Sequence, residues 1–272
     1  MKRWKVGAVF LMAVWHGPLM VAEILAEGER SEFFMVYAAS PTSIISKGET
    51  YLPKEVLRGR LEREFQVQVQ GQLRKSENVP FRARYTMWLK NLEEPECVEI
   101  EKEVFLIEGG KERCVGRYRA ILDVHRNKVK YISSRPEEKE PQVSEEAVKR
   151  PLIPMFALGK YCEGFLARAE REATVQLLVA PNVGGFRIFS CGLTRGEEGK
   201  FTRPGEIEQF GRRVLVRPDL GFFTFLAPTV SLWHEAKPPF RFLASHQPGI
   251  LWLPEAWTYS RPVSSARVVP QQ

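Results

Sequence analysis

The segment from residue 221 to residue 257, GFFTFLAPTVSLWHEAKPPFRFLASHQPGILWLPEAW, decides the predicted fold. It contains short apolar runs at residues 229–235, 240–245 and 250–253, and proline-containing turns separate them. Proline lacks the amide that a sheet ladder needs, and glycine accepts the positive φ of a tight turn. The pattern therefore predicts short strands joined by turns.

Large aromatic side chains are concentrated in this segment. They are Phe222, Phe223, Phe225, Trp233, Phe240, Phe242, Trp252 and Trp257. So many rings in one sheet have to be buried against a second layer of structure. The alternating strands upstream are the available partner, so we expect both sets of strands to share one apolar interior.

Upstream, apolar and polar residues alternate. The alternation is clearest in residues 64–70 (EFQVQVQ) and 81–90 (FRARYTMWLK), and runs 97–107, 113–124 and 128–134 follow after short turns. Strands that are apolar on one face and joined by short turns form antiparallel hairpins. The sequence therefore predicts a five-strand antiparallel meander with one face in water.

The region between the two sets of strands is predicted to be partly helical. Residues 135–142 form a charged, proline-bounded linker. Ser144 is placed to cap a short helix, and residues 154–161 predict a further helical turn. Residues 165–172 are ambiguous between helix and strand, and residues 194–204 are predicted to be a charged loop.

The N-terminal residues predict where the protein functions. A basic start, the apolar run VGAVFLMAVW at residues 6–15 and a following Gly-Pro are typical of a secretory signal peptide. Cleavage after Ala22 or Ala26 is one outcome. The other is an uncleaved anchor at residues 6–22, whose 17 residues are at the short end of a membrane span. In both cases we expect a periplasmic or secreted protein that contacts the membrane only through this anchor, if it is retained.

The domain organisation is predicted to be simple. Residues 1–26 are the signal peptide or N-terminal anchor, residues 27–257 form a single antiparallel β domain, and residues 258–272 form a flexible tail. At the start of the domain, residues 33–37 predict a first strand and residues 38–46 predict a loop.

Charge and cysteine content exclude several functions. The net charge of +7 comes from 40 basic and 33 acidic residues that are interspersed, so nucleic-acid binding is not expected. A hairpin centred on residues 109–110 separates Cys97 and Cys114 by about 20 Å or more, beyond disulfide reach, while a bond between Cys162 and Cys191 stays open. No C-x-x-C or paired Cys/His spacing is present, so neither a metal nor another cofactor is expected.

No catalytic motif is complete. His234 and Glu235 begin a metalloprotease pattern, but residue 238, where the second histidine would stand, is Pro238. His125 and Asp123 share a strand face, as ordinary surface pairs do. G-x-S-x-G and the phosphate-binding G-x-x-x-x-G-K pattern are absent. We therefore expect a non-enzymatic protein, and a hydrolase with an unrecognised site is the last alternative.

The order of features in the C-terminal half carries a family resemblance. The features are an apolar helical turn (155–158), a hairpin (174–193), a Trp-bearing strand (230–235), a Pro-led basic strand (239–242) and a Gly-led strand (249–253). This order resembles a family of exported bacterial domains of unknown function with the curved sheet of the lipoprotein-carrier LolA and LolB fold. The N-terminal half departs from that family in having less glycine, and residues 194–204 are an addition.

The resemblance implies a mainly β fold, a large curved antiparallel sheet or half-barrel with one or two short helices packed on it. The candidate ligand-binding residues of its concave face are Phe225, Trp233, Phe242 and Trp252; alternatively they pack the core beneath residues 144–161. The implied function is binding of a lipid, a lipoprotein or another envelope component. The alternative is a structural or protein-interaction module that pairs through an exposed strand edge. An open apolar concave face favours the first function, and a filled one favours the second.

Overall fold

In this computed structural model, the described residues are 30–37, 40–51, 57–58, 62–72, 80–180, 184–219, 221, 224, 227–249 and 255–262. Residues 1–26, with the predicted signal peptide, and the predicted strand at residues 250–253 lie outside them. The strands are β1 (Arg30–Tyr37), β2 (Ser40–Tyr51), β3 (Leu57–Arg58), β4 (Glu62–Gln72), β5 (Pro80–Leu89), β6 (Cys97–Glu108), β7 (Lys111–Asp123), β8 (Lys128–Ser134), β9 (Gln142–Ala147), β10 (Leu152–Pro154), β11 (Glu172–Val179), β12 (Arg187–Thr202), β13 (Glu208–Asp219), β14 (Val230–His234), β15 (Phe242–Gln247) and β16 (Ala256–Pro262). A 3-10 helix (Met155–Ala157) leads into helix α1 (Leu158–Ala167).

All the described strands belong to one curled sheet. Its order is β10-β11-β12-β13-β14-β15-β16-β1-β2-β4-β5-β6-β7-β8-β9, with β3 paired to β4. Among the described pairings, that of β10 with β11 is parallel and the others are antiparallel. The two edge strands, β9 and β10, follow each other in the chain, and β10 contacts β6 from the other part of the sheet. The sheet therefore curls into a half-barrel, which confirms the predicted fold class.

The predicted five-strand meander is confirmed as β4 to β8. Alternate residues of β5 face the interior and are buried. These are Phe81, Ala83, Tyr85, Met87 and Leu89. Period-two alternation identified this part of the fold because one face of the meander packs against the core and the other faces water.

Three segments predicted to be loop or tail are strands. Residues 38–46 fall largely within β2, which pairs with β1 and β4. Residues 194–204 fall largely within β12, which continues to Thr202 beside β13. Residues 258–262 lie in β16, between β15 and β1. The predictions are wrong there because neighbouring strands supply backbone partners that local composition does not reveal.

The predicted helical region is correct only in its second half. Ser144 does not cap a helix, since it lies in β9 and pairs with Tyr131 of β8. The predicted turn at residues 154–161 is confirmed, and the helix extends through residue 167. The ambiguous residues 165–172 therefore begin as helix and end as strand.

One apolar core joins the two sets of strands, as expected. It contains side chains of the first meander such as Tyr85, of the C-terminal strands such as Val175 and Phe242, and of the helical segment such as Phe156 and Phe165. The helical segment lies on the concave side of the sheet. The shared interior predicted from the aromatic segment is thus present.

A second apolar cluster lies on the other face of β14 to β16. It consists of Phe201, Trp233, Ala244, Trp257 and Tyr259. Phe201, near the end of the β12–β13 hairpin, stacks on Trp233 with ring centroids 4.6 Å apart. The hairpin approaches closely because Gly211 has no side chain: a Cβ there would lie 2.6 Å from the His234 carbonyl oxygen. The hairpin therefore covers the outer face of the C-terminal strands.

Replacement of Phe201 by alanine is expected to destabilise the protein by about 2–4 kcal/mol, because this ring fills the second cluster. The matched control is Phe210→Ala on the neighbouring strand. Phe201 is 6 % exposed and Phe210 is 56 % exposed, so the control should change stability by less than about 0.5 kcal/mol. Urea denaturation measures both, and equal effects of the two substitutions would contradict the packing of the hairpin on this face.

Candidate functional site

The four residues predicted to bind a ligand do not form one described site. Phe225 and Trp252 lie outside the described residues. Trp233 belongs to the second cluster and Phe242 to the main core. Because His234 pairs with Phe242, and successive residues of a strand face opposite ways, Trp233 and Phe242 lie on opposite faces of the sheet. These two residues therefore do not share a concave face.

The helical segment packs into the main core on the concave side of the sheet. Phe156 is 0 % exposed and packs edge-on against Tyr85, with ring centroids 4.8 Å apart. In α1, the Glu163 carboxylate accepts hydrogen bonds from the Lys160 amine at 2.6 Å and the Phe242 amide at 3.3 Å. Burial raises the pKa of Glu163, and both contacts stabilise its charged form. The helix is thus anchored to β15 as part of the core.

His234 is a structural residue. It is buried, and its Nδ1 lies 2.9 Å from the Phe240 carbonyl oxygen, across the turn between β14 and β15. Burial lowers its pKa to about 4, so the ring is neutral at pH 7 and donates this hydrogen bond. The described residues contain no group of three or more potential ligands that could hold a metal ion.

The cysteines of the described residues are free thiols, which answers the open question about Cys162 and Cys191. Burial raises the pKa of both thiols, and also that of Cys97. A buried thiol with a raised pKa is a poor nucleophile, because the thiolate is the reactive form. These three side chains therefore act as small core residues.

Lys102 is an unusual core residue that the sequence analysis did not single out. It is 1 % exposed, and its amine donates a hydrogen bond to the Gly184 carbonyl oxygen at 3.1 Å. The rings of Tyr85 and Tyr118 each lie 5.6 Å from the amine. Burial lowers the pKa of Lys102 to about 7. Its burial could have been predicted from its position in β6, because Lys102 lies on the same strand face as the apolar residues Ile100 and Val104.

A lysine with a pKa near 7 could serve as a base or a nucleophile in an open site. Lys102 is enclosed by the core, however, and so is not placed to meet a substrate in this conformation. Its protonation therefore affects the stability of the fold.

Strand β9 is a different kind of feature, because it is an edge strand with every side chain exposed. It pairs with β8 on one side and, among the described strands, has no neighbour on the other. The chain just after it is held in place: the Lys149 amide donates to the Gln176 side-chain oxygen at 2.6 Å, and Arg150 Nε donates to Glu96 at 2.6 Å. An anchored strand with a free edge is a ready template for a further strand.

The hydrogen bonds between β9 and β8 show which backbone groups of β9 face away from β8. The Val148 amide donates to the Asn127 carbonyl oxygen of the β8 side at 2.9 Å. In an antiparallel pair, alternate residues direct both backbone groups toward the same neighbour. The residues that direct them away from β8 are therefore Val143, Glu145 and Ala147. Val143 also presents an apolar side chain that is 57 % exposed.

The segment containing β9 is acidic. Residues 135–147 contain five glutamates against Arg135 and Lys139, a net charge of −3. Glu145 pairs with Lys128 at 3.3 Å, and Glu146 accepts a hydrogen bond from the Tyr131 hydroxyl at 3.0 Å. Burial raises the pKa of Tyr131, so its phenol stays protonated and donates. Like charges on an edge strand oppose pairing with a second copy.

The fold defines a class, a mainly β protein built on a curled antiparallel half-barrel sheet with a short helix packed in it. No family model matches the chain, and no curated protein matches it. Among solved structures it is similar to the "Crystal Structure of Beta-barrel-like Protein of Domain of Unknown Function DUF1849 from Brucella abortus". The TM-score is 0.48 at 8 % identity, and the match covers 88 % of this chain and 97 % of that chain. That protein is described as β-barrel-like and not as a LolA or LolB carrier.

In the part of the chain that the structure describes, no helix is long and apolar enough to cross a membrane.

Proposed function

We propose that this protein is an exported, non-enzymatic module of the cell envelope that binds an extended segment of a partner protein along the free edge of β9. The observation that carries the proposal is a strand with all its side chains exposed that pairs, among the described strands, with β8 alone. A partner strand would bond to the outward backbone groups of Val143, Glu145 and Ala147. Strand addition of this kind derives affinity from main-chain hydrogen bonds and selectivity from side chains.

The charge of the edge argues for a basic partner. The net charge of −3 over residues 135–147 attracts a positively charged segment and repels a second copy of the same edge. Acidic side chains on an edge strand prevent it from pairing with the same edge of a second copy. They leave the edge available to a segment of opposite charge.

The filled interior supports this function over lipid carriage. The helical segment occupies the concave side with buried side chains, among them Phe156 and Phe165. A lipid chain would have to displace them, at a cost of about 25 cal/mol for each Å² of apolar surface uncovered. The composition of residues 1–26 supports export.

Glu145→Pro is expected to weaken binding of a basic strand by about tenfold or more, because proline removes an outward backbone donor. The probe is a short fluorescein-labelled peptide that alternates valine with lysine, followed by fluorescence anisotropy. The matched control is Glu145→Gln, which removes the charge and keeps the amide. This control should cost only about two- to fivefold.

Two results would overturn the proposal: no saturable binding of the lysine peptide, or equal affinities of the proline and glutamine variants. A peptide that alternates valine with glutamate should bind poorly. Thermal melting checks that both variants are folded, which is expected because the Glu145 amide points away from β8. Native mass spectrometry tests the two alternative functions. A co-purified lipid would favour the carrier function, and a dimer would favour self-pairing of the edge.

A further inference from the structure

The side chains on one face of β7, β8 and β9 lie in rows that the strand register defines. Ile121, Lys130 and Glu145 form one row. The next row holds Asp123, Lys128 and Ala147. The 3.3 Å ion pair between Lys128 and Glu145 confirms that neighbouring rows share this face. Each row ends at β9, so a strand added there would extend both rows by one residue.

A cavity of about 270 Å³ lies on this face. Its lining residues are Ile121, Asp123, Arg126, Lys128, Lys130 and Glu145. The three cations outnumber the two carboxylates, and both carboxylates already have partners. Asp123 accepts hydrogen bonds from the amides of His125 at 3.1 Å and Arg126 at 3.0 Å and pairs with the Arg126 guanidinium at 3.7 Å. Glu145 is paired with Lys128, so the cavity keeps a net charge of +1 from its lining residues.

The two rows end differently at the edge. The first row ends in the carboxylate of Glu145, which a cation on a neighbouring strand would face directly. The second row ends in Ala147, which carries only a methyl group beside Lys128. A long side chain opposite Ala147 therefore meets no bulky side chain between itself and the cationic cavity.

We infer that the partner strand carries a basic residue opposite Glu145 and, two positions away, a carboxylate that passes over Ala147 into the cavity lined by Arg126, Lys128 and Lys130. This inference rests on the proposed function and adds the selectivity of the same edge. The pattern is independent of strand direction, because both orientations place residues that are two apart opposite Glu145 and Ala147. The partner is a basic segment with a single acidic residue at a defined spacing.

The test compares two short peptides by fluorescence anisotropy. One alternates valine with lysine, and the other is identical except that one central lysine is replaced by glutamate. The glutamate peptide should bind the unmodified protein about two- to fivefold more tightly, although its overall positive charge is smaller. Net charge alone would predict the opposite order.

Substitutions of residues that line the cavity test whether its cations cause the preference for the glutamate peptide. Lys128→Gln and Arg126→Gln each remove one cation and should each reduce the preference, and together they should reverse it. Both side chains are well exposed, so the variants should fold. The matched control is Lys111→Gln at the β6–β7 turn, outside the cavity, which should leave the preference unchanged.

The outcomes separate the two proposals. If the all-lysine peptide binds the unmodified protein as tightly as the glutamate peptide or more tightly, the inference is overturned and edge binding stands. If the preference survives in the double variant, the cavity is not its source and the inference is again overturned. If neither peptide binds, the proposed function fails, and the selectivity of this edge fails with it.

Discussion

Lys102→Met is expected to stabilise the protein by about 2–4 kcal/mol at pH 6 and to leave its stability nearly unchanged at pH 9. The amine of Lys102 is enclosed by the core, with the Gly184 carbonyl oxygen and the rings of Tyr85 and Tyr118 around it. Methionine has a similar length and no charge. The substitution therefore removes the cost of a buried ammonium group and, with it, polar contacts of the amine that include the Gly184 hydrogen bond and the cation–π contacts with Tyr85 and Tyr118.

The direction of the pH dependence follows from the pKa values. The pKa of Lys102 falls from its ordinary value of 10.5 to about 7 in the folded protein. Between these values the unfolded chain binds more protons than the folded one, so the stability of the unmodified protein rises with pH across this window. Below pH 7 the amine is protonated in both states, and burial of its charge destabilises the folded protein by the full amount, roughly 4–5 kcal/mol. The hydrogen bond and cation–π contacts return about 1–2 kcal/mol, which leaves the expected difference.

Urea denaturation of both proteins at pH 6 and pH 9 measures this effect. The matched control is Lys130→Met, which replaces an exposed lysine on β8. Its stability difference from the unmodified protein should be small and the same at both pH values. If Lys102→Met and the unmodified protein differ in free energy of unfolding by the same amount at pH 6 and pH 9, Lys102 is not buried as the structure places it.

Phe156→Ala is expected to destabilise the protein by about 3–5 kcal/mol. Phe156 begins the helical segment and is fully buried against Tyr85 of the first meander. Because the same core includes residues of β11 to β15, a cavity at this position removes contacts that join the two sets of strands. Phe156→Leu keeps most of the apolar volume and should cost only about 1–2 kcal/mol.

The measurement is again urea denaturation, with circular dichroism and tryptophan fluorescence recorded on the same samples. Coincident transitions are expected for the unmodified protein, because a shared core makes unfolding cooperative. If Phe156→Ala costs less than about 1 kcal/mol, the helical segment is not packed in the interior. An open concave face would then be available, and the lipid-carrier alternative would gain support.

The parts of the fold that the sequence predicted are those in which local pattern and tertiary environment agree. The meander from β4 to β8 was predictable because strands such as β5 bury one face and expose the other, so burial imposes a period of two. The helical turn at residues 154–161 was predictable from its apolar composition after Pro154. The failures at β2, β12, β9 and β16 have one cause: these polar or mixed segments are strands because their neighbours supply hydrogen-bond partners.

The candidate site shows the same division. The family resemblance implied one concave face for the four aromatic residues, and residue type does not reveal which face of a strand a ring occupies. The bulge between Trp233 and His234 and the pairing of His234 with Phe242 decide that question. The edge strand β9 could not be predicted from the sequence. Ser144 and the glutamates after it favour the start of a helix when the local sequence is considered alone.

By itself, the sequence determined the fold class, the antiparallel meander, the shared apolar interior and the lack of a complete catalytic motif. These properties depend on residue type and spacing within single segments. The tertiary structure alone decided that the helical segment packs in the main core, that Lys102 is enclosed, and that β9 is the last of the described strands in the sheet. The physical reason is that burial and strand pairing depend on contacts between residues far apart in the chain, such as Lys102 with Gly184, which no local period encodes.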